Sequence, residues 1–404
     1  MFLLHLFESN ADYNTARSTN YAEPWVSATN ITENGVGGGI GSTSSYRVNY
    51  NKTEREKILE TPLTFEITSA GNIVWKANNT AYTVTLEYSK DNGQNWTQIT
   101  SNTGSSAPSI SVSAGDTVQI RCGTDDGYAT MSSDYSSGYN TFSGTTAGFK
   151  IKGNIMSLLS KNNFASLDIL QSAYTFCRLF RYCTGLTDAS KLILPADNLT
   201  LQCYRAMFAN CSNLAGVPKL PAMNLGEGCY NGMFQYCYKL TDSTMLPELP
   251  ATTLANNCYD YMFAFDTGLT DASELVLPAT TLTDSCYTQM FKNCTSLTSA
   301  PELPATTLAN NCYAMMFEGC TSLTSSPELP ATTLVSNCYN QMFYQCTNLN
   351  YIKCLATDIT ASGCLTDWVY RVQTTSGTFV KNPNMSSWTT GTSGIPNNWT
   401  VQDA

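Results

Sequence analysis

Histidine is almost absent from this chain: one residue in 404, His5, carries an imidazole. That removes His-based triads and His-ligated zinc from consideration. Charge is scarce as well, at 13% against roughly 25% in an average soluble protein. What charge there is leans acidic, with a net −10 that argues against nucleic acid or an anionic membrane surface as partner. No stretch approaches the ~18 apolar residues that span a bilayer, so no membrane span is expected. A secretory leader is not visible either, because His5 and Glu8 break the opening apolar run and no basic residue precedes Arg17. That pattern suits an intracellularly assembled particle such as a phage virion, or a leader already cut off. The chain is long enough for two or three domains with a sizeable core. Its hydrophobic share of 42% is ordinary, and Ser, Thr, Asn, Gly and Tyr take the place of charge.

The pattern divides the chain into four parts. Residues 1–60 hold scattered aromatics and a Gly-rich stretch, and read as an arm or docking segment. Residues 61–153 alternate with period two, with Val84, Leu86 and Tyr88 on one face, then Ile110 with Val112, and Val118 with Ile120. Turn signals at Asp91-Asn-Gly93 and Ser113-Ala-Gly-Asp116 complete an expected antiparallel β-sandwich, immunoglobulin-like in size. Within it, Ser89-Lys-Asp-Asn-Gly-Gln-Asn-Trp96 resembles the Asp-box of sialidases, S-x-D-x-G-x-x-W. Asp-boxes are hairpin turns without a catalytic role, so Asp91, Gly93 and Trp96 are expected to build a turn. A glycan-active enzyme built around it is the competing reading.

From about residue 170 one phrase recurs, C-Y-x-x-M-F-x-x-C-x-x-L, then a variable arc, then L-P-A-x-x-L. Counting degenerate copies at both ends, eight units start at Thr175, Cys203, Cys229, Cys258, Cys286, Cys312, Cys338 and Cys364. Successive starts lie 26–29 residues apart, the mark of stacked repeats. Every insertion falls in the arc before Leu-Pro-Ala, while the Cys-to-Cys segment keeps its length. Positions 1, 2, 5, 6 and 9 of that segment follow the i, i+4 rhythm of a short helix facing a core. A strand is expected after it, and the Pro excludes a regular helix beyond. The predicted fold class is therefore α+β and multidomain: the antiparallel sandwich, then an α/β solenoid of about eight repeats over 154–375. Residues 376–404, with Trp388, Pro396 and Trp399, read as a cap on the last open unit.

The repeat resembles the BspA-like, or Treponema-type, leucine-rich repeats. Cys294-Thr-Ser-Leu297, Leu303-Pro304, Leu308 and Met316-Phe317 follow that family's consensus in order, with Met in place of Ala before Phe and a longer arc before Leu-Pro. The resemblance covers residues 172–365 and implies a surface protein related to adhesins of anaerobic bacteria. Taken with the arm and the β domain, the chain looks like proteins of gut Bacteroidales or their phages.

Fourteen of the sixteen cysteines lie between Cys177 and Cys354. The expected repeat core comprises Cys203, Phe208 and Cys211; Cys229, Phe234 and Cys237; Cys286, Phe291 and Cys294; Cys312, Phe317 and Cys320; and Cys338, Phe343 and Cys346. On a helix the paired cysteines would sit about 12 Å apart, too far for a disulfide. Reduced thiols acting as small core hydrophobes are expected, with no metal, since no C-x-x-C pair occurs. In the Cys258 unit, Asp266 stands where the second Cys belongs. Variable positions between Tyr and Met and between Phe and Cys are expected to face solvent. The aromatics there, Tyr236, Tyr261, Phe265 and Tyr344, form the candidate ligand-binding patch. Glu248, Glu302 and Glu328 make an acidic stripe.

These features point to a non-enzymatic, surface-displayed binding or adhesion protein without catalytic residues or cofactor. The leading expectation is a phage virion fibre or capsid-decorating protein at the virion surface. Its solenoid would bind a host-surface or mucosal protein or glycan, while the N-terminal arm docks on capsid or tail proteins. A secreted bacterial cell-surface adhesin of the BspA type is the alternative, and homo-oligomerisation is left open.

Overall fold

The computed structural model describes residues 59–124, 131–134, 136, 138–372 and 375–404, together with the backbone of two short N-terminal strands. Those two, β1 (Ile31–Glu33) and β2 (Val48–Tyr50), pair antiparallel. The rest of the expected N-terminal arm lies outside the described residues.

The β domain contributes β3 (Leu63–Ser69), β4 (Gly71–Val74), β5 (Lys76–Ala77), β6 (Thr85–Ser89), β7 (Thr97–Thr100), β8 (Ser109–Val112), β9 (Thr117–Cys122), β10 (Asn140–Thr141) and β11 (Gly148–Asn154). The repeats add β12 (Leu186–Ile193), β13 (Ser325–Leu329) and β14 (Tyr351–Cys354), and the C-terminal segment adds β15 (Thr378–Lys381) and β16 (Thr400–Asp403). The main sheet runs β12-β11-β3-β9-β6-β7, and small two-stranded sheets pair β4 with β8 and β5 with β10. Every pair is antiparallel except β11–β12. The period-two reading holds: Leu86, Ile110, Val112, Val118 and Ile120 are buried, with Val84 and Tyr88 packed against them. Asp91–Gly93 lies in the β6–β7 hairpin, whereas Ser113–Asp116 carries the chain from one sheet to another.

The parallel pairing of β11 with β12 draws the first repeat into the sheet of the β domain. Phe65 and Phe142 of that domain pack against Phe180 of the first repeat, with Phe142 and Phe180 stacked at 5.4 Å and Trp75 lying against Phe142. One continuous hydrophobic core therefore runs through both.

The expected helices are absent. From Glu60 onward no described residue is α-helical, so the α component of the predicted α/β solenoid is overturned; the chain is mostly β. The Cys-to-Cys segment is instead a run of overlapping turns. In the Cys286 unit, the amides of Cys286, Thr288, Met290, Lys292 and Cys294 donate to the carbonyl three residues back. The amides between them, of Ser285, Tyr287, Gln289, Phe291 and Asn293, donate instead to Asn310, Cys312, Ala314, Met316 and Glu318 of the next unit, at 2.6–3.0 Å. Half of the backbone donors thus tie each unit to its neighbour, which an α-helix, satisfying its donors internally, cannot do. The geometry requires a left-handed residue at every fourth position: Ser285, Gln289 and Asn293 here, and Asn311, Met315 and Gly319 one unit on. A spacing of four residues puts Cys, Tyr, Met, Phe and Cys on the inner side, just as a helix would, which is why the sequence periodicity pointed to one.

Stacked in this way, equivalent side chains form columns. Tyr204, Tyr230, Tyr259, Tyr287, Tyr313 and Tyr339 follow one another at 5.7–6.1 Å between ring centroids. Phe208, Phe234, Phe263, Phe291, Phe317 and Phe343 do so at 5.7–5.9 Å. Each stacked pair contributes about 0.5–1.5 kcal/mol beyond its buried area. Trp368 meets both columns and Trp388 stacks on it at 6.0 Å. On the arc side the last units align as a parallel sheet, β13-β14-β15-β16.

Candidate binding face

Each Cys-to-Cys segment keeps four residues out of the interior columns, two of them left-handed, though Ala209, Ala264, Gln289 and Ala314 among them are buried, against the expectation that these positions face solvent. A left-handed backbone costs a side chain other than Gly, Asn or Asp of order 1 kcal/mol or more. In the column just before the second Cys the occupants are Tyr182, Asn210, Tyr236, Phe265, Asn293, Gly319, Gln345 and Arg371, with φ between 56° and 74°. Gly319 shows what the backbone alone would select. Tyr182, Tyr236 and Phe265 are bulky aromatics held at that cost.

Tyr236 and Phe265, from neighbouring units, stack at 4.6 Å and 11°, closer than any pair in the two interior columns. Tyr238 meets Tyr236 edge-on at 6.3 Å. Tyr182 is 52% exposed and Tyr238 41%, while Tyr236 and Phe265 are half-buried. Arg181 lies over the Tyr182 ring at 4.6 Å and donates to its hydroxyl. Burial, then the neighbouring Tyr238 and Tyr182, push the Tyr236 hydroxyl up from its ordinary value. Burial likewise raises Tyr261, with Asp260 adding to it and a hydrogen bond with Gln289 opposing it. Tyr236, Tyr261 and Phe265 therefore fall in one neighbourhood. Tyr344 does not: it stacks on Tyr370 at 4.9 Å, three units farther along. The sequence reading passed over Tyr238 and Tyr370. Tyr370 was findable as the counterpart of Tyr344 in the last, degenerate copy, whereas Tyr238 follows the second Cys, outside the positions considered variable.

Besides Arg181, the polar surroundings include a charged pair and a buried carboxyl. Lys292 pairs with Glu318 at 2.9 Å, both sides largely covered. Asp260 accepts from Asn231 Nδ2 at 2.9 Å. Burial pushes Asp260 up to about 7, against the opposing pull of Asn231 and Arg205.

The Asp-box turn is satisfied within itself. Asp91 accepts from the Ser89 hydroxyl and the Asn95 amide with Oδ1, and from Asn95 Nδ2 with Oδ2. These bonds hold its carboxyl down to about 2. Gly93 sits at φ 85°, and the Trp96 indole donates to its carbonyl at 2.9 Å while Arg121 covers the ring at 3.7 Å. Both carboxylate oxygens are occupied, and the turn's work is to close the β6–β7 hairpin.

All sixteen cysteines are free and buried. Those at the end of the repeated segment have a specific partner: Cys211, Cys237, Cys294, Cys320 and Cys346 each donate a thiol hydrogen bond to the Phe carbonyl one unit back, at 3.0–3.3 Å. Burial raises the thiols of the repeats, to about 12 at Cys203, Cys286 and Cys338. A protonated thiol neither attacks nor ligates. Among the described residues no group of three His, Cys, Asp or Glu is placed to hold a metal ion. No helix among them is long and apolar enough to cross a membrane.

The chain matches no protein-family profile, no curated protein and no solved structure.

Proposed function

We propose that this is a non-enzymatic binding protein, displayed on a virion or cell surface, whose stacked repeats present Tyr182, Tyr236, Tyr238, Tyr261 and Phe265 to a host-surface glycan or protein. The carrying observation is the Tyr236–Phe265 pair: two aromatic rings kept in left-handed backbone, on a half-exposed face, in a column where Gly319 meets the same backbone need. The same backbone is met elsewhere by Gln289, Met315 and Gln345, so what marks this pair is that both positions carry large rings stacked on each other. Rings supported from one side and open on the other suit stacking on a sugar face or anchoring a protein contact. Adhesion also agrees with the resemblance of the repeat to BspA-like surface proteins, and phage display on a virion is the preferred setting.

The test is binding of the purified chain to host cells and to a glycan array, with Tyr236→Ser, Tyr261→Ser and Phe265→Ser combined. A loss of binding of tenfold or more, with thermal stability kept, is expected for the triple variant, since anchoring aromatics carry about 2 kcal/mol or more each. Unchanged binding would end this assignment of the face. Mass spectrometry of phage particles against bacterial outer-membrane fractions separates a virion protein from a bacterial adhesin.

A further inference from the structure

The arc side of the repeats carries a second surface of different chemistry. One groove of about 540 Å³ opens between the arcs of the Cys229 and Cys258 units, walled by Leu246, Pro247, Glu248, Pro250, Glu274 and Val276. Another of about 380 Å³ opens between the arcs of the Cys286 and Cys312 units, walled by Pro301, Glu302, Pro304, Pro327, Glu328 and Pro330. Both are built alike: proline rings form the walls, and each of the two units contributes one exposed glutamate. Proline has no N–H, so these walls offer apolar surface and acceptors but few donors. An anion or a neutral acceptor finds little to bind there. A long aliphatic stem ending in a cation finds both apolar contact and a carboxylate.

The chain's own Lys353 already shows the pairing. Its ammonium lies 2.8 Å from Glu328 at the edge of the second groove. Glu248, Glu274 and Glu302 have no salt-bridge partner among the described residues. Val276, at the mouth of the larger groove, is 68% exposed, the most exposed large hydrophobic side chain among them.

We propose that these grooves bind an extended, lysine- or arginine-bearing segment of a protein partner, one basic side chain to each groove. The grooves are two units apart, roughly 11 Å along the ring columns, a distance an extended chain covers in three to four residues. Basic residues four apart, which a strand carries on one face, would fill both at once. This surface is separate from the aromatic face and does not depend on it.

The experiment titrates the full chain with a fluorescent Ser/Thr/Gly peptide carrying two lysines four apart, and with the same peptide carrying Met or Glu in their place. The lysine peptide should bind, the Met peptide more weakly and the Glu peptide not at all, with affinity falling as salt rises. Glu248→Gln, Glu274→Gln and Glu302→Gln should each weaken the lysine peptide about three- to fivefold, the size of a solvent-exposed ion pair. Tyr236→Ser should leave peptide binding unchanged, so failure here is distinguishable from failure of the aromatic face. Equal affinity for the lysine and Met peptides, or indifference to all three Glu→Gln changes, would overturn the proposal. So would calcium binding by calorimetry that Glu274→Gln abolishes, since that assigns the carboxylates to a divalent cation.

Discussion

The carboxyl of Asp266 accepts the backbone N–H of Cys237, its counterpart one unit back. In neighbouring units that amide bonds to the Phe three residues before it, as Cys211 does to Phe208 and Cys294 to Phe291. Asp266 is fully buried, and its other oxygen, Oδ2, has no hydrogen-bond partner. Burial pushes this carboxyl well above its ordinary value.

A pH dependence of stability follows from that position. The folded state holds the Asp266 proton at pH values where the unfolded chain has released it, so stability falls as pH rises above about 4 through the raised folded value. Asp260, raised to about 7, adds a slope of the same sign between about 4 and 7. Asp266→Asn supplies an acceptor and a donor that do not titrate. It should stabilise the protein by about 1–3 kcal/mol at pH 8, the cost of a buried unsatisfied group, and by little at pH 4. Urea unfolding at the two pH values measures this. An equal gain at both would mean the carboxyl is not the source of the slope.

Asp91 has the opposite sign. Its carboxyl is held down to about 2, so the stability it contributes is present above its ordinary value near 4 and is lost as pH falls toward 2. Asp91→Asn should flatten the acid side of the pH–stability curve and leave the alkaline side untouched. Thermal melts from pH 2 to pH 5 make the comparison. A steep acid limb surviving in the variant would place its origin elsewhere.

The backbone of the repeat gives a sharper test, because helix and turn run predict opposite outcomes at one residue. Gln341 lies inside the Cys338 segment with φ 51°. Inside a helix, Gln341→Gly would be about 1 kcal/mol less stable than Gln341→Ala, since Ala is the best helix former. In the left-handed backbone the order reverses, and Gln341→Gly should be the more stable variant by about 1 kcal/mol. Urea midpoints of the three proteins decide. An Ala variant more stable than the Gly variant would contradict the turn run.

What could be read from the sequence, and what could not, divides along the same physical line. Period two marks which residues of a strand face inward, and it placed Leu86, Val118 and Ile120 correctly. Column-forming residues such as Cys203, Phe208 and Cys211 were legible because stacking demands the same side chain at the same place. The helix was a misreading of a true period. A spacing of four residues is shared by one helical turn and by two overlapping β-turns, and apolar periodicity cannot separate them. The distinguishing signal lay in residues the periodicity ignores: Gly228, Asn257, Ser285, Asn311, Asn337 and Gly363 all precede the first Cys, and all but Ser285 are residue types that favour φ > 0. For the candidate face, the positions were legible but the neighbours were not. Nothing in sequence spacing says that Tyr236 stacks on Phe265 while Tyr344 turns to Tyr370.

The thiols report on how the stack comes apart. With every cysteine free and buried, a disulfide reagent such as DTNB should label fewer than one thiol per native chain and all sixteen in strong denaturant. Trp368 sits where both aromatic columns end, and its indole donates to the Gly394 carbonyl at 2.8 Å. Trp368→Ala should cost about 3–5 kcal/mol, as large aromatic deletions in cores do. In a stacked array, where each unit holds mainly its neighbours, that loss should be felt first at the C-terminal end. Labelling followed by peptide mapping in mild denaturant should therefore find Cys354 and Cys364 modified before Cys203 and Cys229 in the variant. Simultaneous labelling of all four would show that the shared aromatic core makes the array unfold as one unit.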